Sequence, residues 1–316
     1  MKLLRRIIFT ILTILIVADV AASYYLQRVA LYNDSMPSSI DDAFRHLSRR
    51  GPFLAPWLDS IADGELLRDT FVLSSDGTRL HAYYLPASRP TRHTALLLHG
   101  YKGQALDMLH IGYLYHHCLG YNILLPDLRT HGQSEGTHIQ MGWHDRLDAL
   151  TWAEVGDAMF GGETWMVVHG ISMGAATTMM LAGEATPSCV KAFVEDCGYT
   201  SVWDEFRIEL RKRYGLPPFP VLHSSSLLCK LRYGWSFGEA SALAQVAKCS
   251  KPMLFIHGDN DDFVPTWMAT PLYEAMRGPK ALWLAPGVAH ADAFWTFPDE
   301  YTHRVAQFLC EEPLDP

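Results

Sequence analysis

The sequence contains no C-x-x-C pair; its six cysteines, Cys118, Cys189, Cys197, Cys229, Cys249 and Cys310, are widely scattered. That spacing excludes the usual zinc and dithiol redox motifs. An even count is compatible with disulfides in an exported chain, and equally with buried thiols. Cationic excess is also missing. A formal net charge of -8 is the opposite of the basic footprint that nucleic-acid binding requires, so no nucleic-acid partner is expected. No internal repeat or low-complexity tract runs through the 316 residues, which sets aside solenoids and arrays. Apolar residues make up 49% of the chain and are spread along it. That is enough for one sizeable core and too much for a long disordered region.

Uniformly apolar runs are scarce, with one exception. Met1-Lys2-Leu3-Leu4-Arg5-Arg6 is basic, and Ile7 to Ala18 is an apolar run of twelve followed by Asp19. A cleaved signal peptide has a basic start, a short apolar core and small residues at the cut, which Val20-Ala21-Ala22 supplies imperfectly. A retained anchor needs about 20 residues; Ile7 to Leu26 serves, with Tyr24-Tyr25 as an interfacial belt. Residues 1–30 are therefore expected to be a signal anchor or signal peptide. The basic flank stays inside, so the catalytic part lies outside the cytoplasm, membrane-anchored or, after cleavage, secreted or periplasmic.

Residues 31–68 read as a connector with short helices, Ser38-Ser39-Ile40-Asp41-Asp42 capping one through Phe44 and Leu47. From Asp69 the pattern changes. Thr70 to Leu73 and Arg79 to Tyr84 flank Asp76-Gly77, a hairpin signal. Strand-like and helix-like segments then alternate: strands over Ala95–Leu98, Tyr121–Leu125, Trp165–Val168, Val190–Val194, Met253–Ile256 and Ala281–Leu284. The helices between them include one through Met108, Ile111, Leu114 and Tyr115. Alternation of this kind predicts an α/β domain over residues 69–312, a mostly parallel sheet with helices on both faces. Residues 199–250 contain no strand signal but helix-like pieces around Gly215-Leu216-Pro217-Pro218-Phe219-Pro220. They are expected to form a small helical cap, since structureless insertions of that length are uncommon. Bulky residues there, among them Phe206, Phe219, Trp235 and Phe237, pack the cap or line a substrate pocket.

The chemistry centres on Gly170-Ile171-Ser172-Met173-Gly174. A short apolar strand precedes it and small residues with helical character follow, the context of a strained turn that presents a nucleophilic serine. A serine hydroxyl needs a base, usually a histidine oriented by a carboxylate. In open α/β sheets these groups come from loops at the carboxyl ends of strands. Asp259-Asn260-Asp261-Asp262 follows one later strand, and Gly287-Val288-Ala289-His290 follows the last. Asp261 is the favoured acid, with Asp196 as a second location. The crowded carboxylates lack the glycine of a calcium loop, so no metal is expected. Two backbone N–H groups should stabilise an oxyanion: that of Met173, after the nucleophile, and that of Tyr101 in His99-Gly100-Tyr101-Lys102-Gly103.

The segments LLLHGYKG, PDLRTHGQSEG, HGISMG, IHGDNDDFVP and GVAHAD occur in that order. Across residues 69–310 the chain resembles the α/β-hydrolase superfamily, and within it the bacterial membrane-anchored, serine-aminopeptidase-like and esterase-like hydrolases with a small helical cap. The resemblance implies Ser172 as nucleophile, Asp261 as acid, His290 as base, an oxyanion hole from Tyr101 and Met173, and no cofactor. One departure is Thr130, where relatives commonly carry glycine. The expected function is a serine hydrolase of carboxylesterase type. A peptidase or acyltransferase on the same three residues, or a non-catalytic binding scaffold, are the alternatives. The expected partners are a small-molecule ester or short peptide and a membrane through the N-terminal segment. Oligomeric state is not legible in the sequence.

Overall fold

A computed structural model describes residues 1–311; residue 312, the expected end of the hydrolase domain, lies outside the described residues. The chain forms two compact units. One combines Met1–Tyr32 with Ser201–Ser241; the other combines Asn33–Thr200 with the chain from Ala242 onward.

The larger unit is built on an eight-stranded sheet in the order β1-β2-β4-β3-β5-β6-β7-β8. The strands are β1 (Arg68–Leu73), β2 (Arg79–Leu85), β3 (His93–Leu98), β4 (Asn122–Pro126), β5 (Trp165–Ile171), β6 (Val190–Asp196), β7 (Met253–Gly258) and β8 (Lys280–Ala285). The β1–β2 and β2–β4 pairs are antiparallel, and every later pair is parallel. The Asp76-Gly77 turn closes the opening hairpin: Gly77 takes φ +84, and Asp76 Oδ1 accepts from Thr78 N at 3.0 Å. Strand β1 alternates exposed and half-buried residues, as an edge does, whereas β4 and β7 are buried throughout. Parallel strands covered by helices on both faces need continuous apolar sequence, which is why their runs were legible.

Helices α2 (Ile40–Arg50), α3 (Ala55–Asp63) and α4 (Leu109–Gly112) cover one face of this sheet together with α11 (Ala293–Thr296) and α12 (Pro298–Glu311). Ser39 caps α2 as expected, its Oγ accepting from Asp42 N at 3.2 Å. The core there contains Trp57, Leu58, Ile61, Tyr115, Phe294 and Tyr301, all buried. The helix expected through Met108 and Tyr115 is not continuous. It begins as a 3-10 turn (Ala105–Met108), becomes α4, and ends in a π-helical turn (Tyr113–Cys118). Helices α5 (Asp145–Met159), α6 (Met173–Ala182), α9 (Ala242–Val246) and α10 (Ala269–Ala275) complete the unit. The chain changes its direction of winding after β4, since β5 adds on the other side of β3. That leaves a crevice outside the carboxyl ends of the strands, the usual place for a site in such sheets.

The smaller unit comprises α1 (Lys2–Leu31), α7 (Val202–Tyr214) and α8 (Val221–Tyr233). Helix α1 is long and apolar enough to cross a membrane, with a mean hydropathy of 2.2 over its best window. Its last turns pack on α8. Ser23 Oγ donates to Val221 O at 3.2 Å, and Gln27 Nε2 donates to Ser225 O at 2.7 Å. Gly215 and Gly234 terminate α7 and α8 in the left-handed conformation that favours glycine. Trp235 and Phe237 are buried, and Phe206 meets Phe237 edge-on at 4.8 Å. Of the bulky residues in this stretch these pack the unit, while Phe219 is 71% exposed. All six cysteines are free.

Candidate active site

Four strand ends supply the site. Ser172 sits between β5 and α6 with φ 57 and ψ -117, a strained conformation for a residue with a side chain. Its neighbours explain why glycines flank it. A Cβ on Gly170 would lie 2.0 Å from Gly174 O, and one on Gly174 would lie 2.0 Å from Leu98 O. Any side chain at either position would drive β5, α6 and β3 apart. The elbow is thus held by close backbone packing, with Ser172 N donating to Asp196 O at 2.8 Å.

His290 follows β8. Its Nε2 is 2.9 Å from Ser172 Oγ, and its Nδ1 is 2.7 Å from Asp261 Oδ2. Because the carboxylate can only accept, Nδ1 carries the proton and Nε2 is left to accept from the serine hydroxyl. Asp261 follows β7 and is turned inward by its own loop: Oδ1 accepts from Phe263 N at 2.9 Å and from Val264 N at 3.0 Å. Burial pushes its carboxyl up, but hydrogen bonding and charge from His257 and His290 outweigh this and hold it at about 2. The carboxylate is therefore ionised at neutral pH.

The neighbouring acids are engaged elsewhere. Asp259 Oδ1 accepts from Gly287 N at 2.6 Å. Asp196 Oδ2 accepts from the Tyr301 hydroxyl at 3.0 Å. That hydroxyl is also 2.9 Å from His169 Nε2, and His169 Nδ1 is 3.1 Å from the Tyr115 hydroxyl. With the Tyr301 hydroxyl donating to Asp196, its oxygen can accept from His169 Nε2 and His169 Nδ1 can accept from Tyr115, an arrangement that suits a neutral ring, and burial does push His169 down to about 3. Asp196 is raised by burial to about 6, which suits a structural acceptor better than a partner for an imidazolium.

The loop after β3 passes beside the serine. A Cβ on Gly100 would lie 4.0 Å from Ser172 Oγ, and Tyr101 is the residue that follows it. Met173 is the first residue of α6, where a backbone N–H has no intrahelical acceptor. Two neutral histidines brace the Tyr101 loop. His99 Nε2 accepts from Leu128 N at 2.9 Å, and His131 Nε2 accepts from Lys102 N at 3.2 Å. Burial depresses both imidazoles, His131 to about 3, which keeps those nitrogens able to accept. Asp127 supports the same region by accepting from Ala105 N and Gln133 N. Thr130, the residue that departs from the family pattern, has φ +65, a conformation that glycine adopts freely.

Sequence reasoning did not single out His257 or Glu195. His257 Nε2 donates to Val264 O at 2.9 Å and lies 3.4 Å from Asp261 Oδ2. Burial opposes its charge, yet the interaction with the Asp261 carboxylate raises it overall. Burial drives Glu195 up to about 8. His257 is one of fifteen histidines; its only local signal was its position at the end of β7, just ahead of the acidic loop. Cys197, Asp261 and His290 offer donor atoms within 4.8 Å of one another. Burial pushes the Cys197 thiol well up, and both His290 nitrogens already have partners, so these groups do not form a ready metal site.

Comparison with known proteins agrees with this architecture. Residues 138–306 match the prolyl oligopeptidase family. The uncharacterized protein YqkD of Bacillus subtilis is 32% identical over 246 residues, covering 78% of this chain and 80% of the relative. The uncharacterized membrane protein YNL320W of Saccharomyces cerevisiae is 23% identical over 243 residues, covering 76% and 78%. Among solved structures, the esterase Pf2001 of Pyrococcus furiosus superposes with a TM-score of 0.62 at 22% identity, covering 79% of this chain and 94% of that one. With a matched segment spanning more than half its length and an α/β-hydrolase sheet, the chain belongs to the prolyl oligopeptidase family and is a serine hydrolase of the α/β class.

Proposed function

We propose that this hydrolase cleaves carboxylic esters through Ser172, His290 and Asp261. One observation carries the reading. Ser172 Oγ, held at a strained turn, lies 2.9 Å from an imidazole nitrogen whose other nitrogen lies 2.7 Å from a carboxylate held at about 2. His290 Nε2 takes the hydroxyl proton as Ser172 Oγ attacks the carbonyl carbon. The carbonyl oxygen becomes an oxyanion facing the N–H groups of Tyr101 and Met173. Asp261 stabilises the imidazolium that forms. His290 then protonates the departing alkoxide, and the acyl group stays on Ser172. Water, deprotonated by His290, attacks this acyl-enzyme and releases the acid and the free serine.

Labelling by a fluorophosphonate probe tests this directly. The wild type should label, and Ser172→Ala and His290→Ala should not; a folded wild type that stays unlabelled would refute it. Peptide bond cleavage is the second reading, favoured by the description of the family whose pattern covers residues 138–306. A paired panel of acyl esters and aminoacyl amides separates the two by kcat/KM. Helix α1 would act as a retained anchor with the remaining chain outside the cytoplasm, since Lys2, Arg5 and Arg6 precede its apolar run. A periplasm-specific reporter fused after Leu309 that stays silent would count against that orientation.

A further inference from the structure

The smaller unit carries an exposed apolar tip at the level where α1 would leave a bilayer. If Arg6 marks one boundary, about 20 residues at about 1.5 Å each cross the hydrocarbon and end near Leu26. Helix α8 runs alongside the last turns of α1 in the same direction. Val221 O accepts from Ser23, Ser225 O accepts from Gln27, and the Tyr233 and Tyr32 hydroxyls are 3.1 Å apart. The start of α8 is therefore level with the end of the span, and its finish lies farther out. The preceding helix returns to the same depth, because Tyr214, the last residue of α7, lies against Tyr25. The connector between them, residues 215–220, is held at both ends near the span boundary.

Its composition suits that place. Leu216 is 43% exposed and Phe219 71% exposed. The last turn of α7 carries Arg211, Lys212 and Arg213, all exposed. An apolar tip with a basic collar is the pattern that partitions into an interface and draws on anionic headgroups. Tyr24 and Tyr25, near the end of the span on α1, are also exposed.

We propose that the 215–220 connector is a second membrane contact. Leu216 and Phe219 enter the headgroup–acyl boundary of an anionic bilayer beside α1, and Arg211, Lys212 and Arg213 lie against its phosphates. The proposal rests on the reading of α1 as a membrane span, and the test separates the two. The full chain with Cys118→Ser and Cys310→Ser receives a single fluorescent label at Leu12→Cys, Phe219→Cys or Glu163→Cys, and is reconstituted into phosphatidylglycerol vesicles. Quenching by nitroxide lipids and by aqueous iodide is then compared. The expected result is strong lipid quenching at positions 12 and 219, and several-fold stronger iodide quenching at 163 than at either. Reversal of the collar (Arg211→Glu with Lys212→Glu) should raise iodide access at 219 several-fold and leave position 12 unchanged. Iodide access at 219 equal to that at 163, with position 12 still quenched by lipid, overturns the second contact alone. Loss of lipid quenching at 12 overturns the span as well. A label at 219 shielded from iodide yet untouched by nitroxide lipid would mean that protein covers the tip, which also overturns the proposal.

Discussion

Replacing Asp261 with asparagine changes almost no volume and should nearly abolish activity, because the amide has only one orientation open to it. Asp261 Oδ1 accepts two backbone N–H bonds, from Phe263 and Val264. The amide oxygen must occupy that position, so the NH2 group replaces Oδ2. There it faces His290 Nδ1, 2.7 Å away in the wild type, and His257 Nε2, 3.4 Å away. Donor then meets donor. His290 escapes by moving its proton to Nε2, and that nitrogen no longer accepts from Ser172. The expected loss in kcat is about 10³–10⁴-fold, the scale for a base held in the wrong tautomer. Stability should fall too. The carboxyl is held at about 2 against about 4 for a free aspartate, a difference worth roughly 2–3 kcal/mol. For a depressed acid that stabilisation is present above the free value and lost as pH falls through about 2, so it is intact in a neutral assay. Hydrolysis of a p-nitrophenyl ester gives the first quantity and denaturant unfolding the second. An Asp261→Asn enzyme that keeps more than about a tenth of wild-type kcat would falsify the tautomer argument.

Gly174→Ala should lose folded protein or activity altogether, since its Cβ would lie 2.0 Å from Leu98 O; circular dichroism and probe labelling read the two outcomes, and a fully active variant would contradict the packing. Thr130→Gly should stabilise the chain by about 0.5–1 kcal/mol, because relief of the left-handed backbone at φ +65 exceeds the added chain entropy of glycine; a lower Tm would show that the threonine side chain matters more. Glu195, raised by burial to about 8, keeps its proton in the folded chain where the unfolded chain has released it. Stability should therefore fall as pH rises from the ordinary glutamate value to about 8, and Glu195→Gln should flatten that fall in a Tm series; Asp196, raised to about 6, adds a slope of the same sign in both proteins.

The local grammar of the site was legible in the sequence because its causes are local. Gly170 and Gly174 flank Ser172 since neither position has room for a Cβ, and continuous apolar runs mark strands covered on both faces. Asp261 and His290 were singled out as candidates by their place after β7 and β8, and the Asp76-Gly77 turn by the left-handed backbone it needs. Pairings between distant segments were not legible. Asp259, Asp261 and Asp262 look alike as letters; what sets Asp261 apart is His290 Nδ1, 2.7 Å from its Oδ2 and brought there from the end of another strand. His257 gains its role by lying 3.4 Å from Asp261. Asp196, the second location the sequence offered for the acid, accepts instead from the Tyr301 hydroxyl, more than a hundred residues away in sequence. The seat of α8 on Ser23 and Gln27 has the same origin. Periodicity and turn chemistry act over a few residues and can be read along the chain. Which donor meets which acceptor depends on strand order and helix docking, and these exist only once the chain has folded.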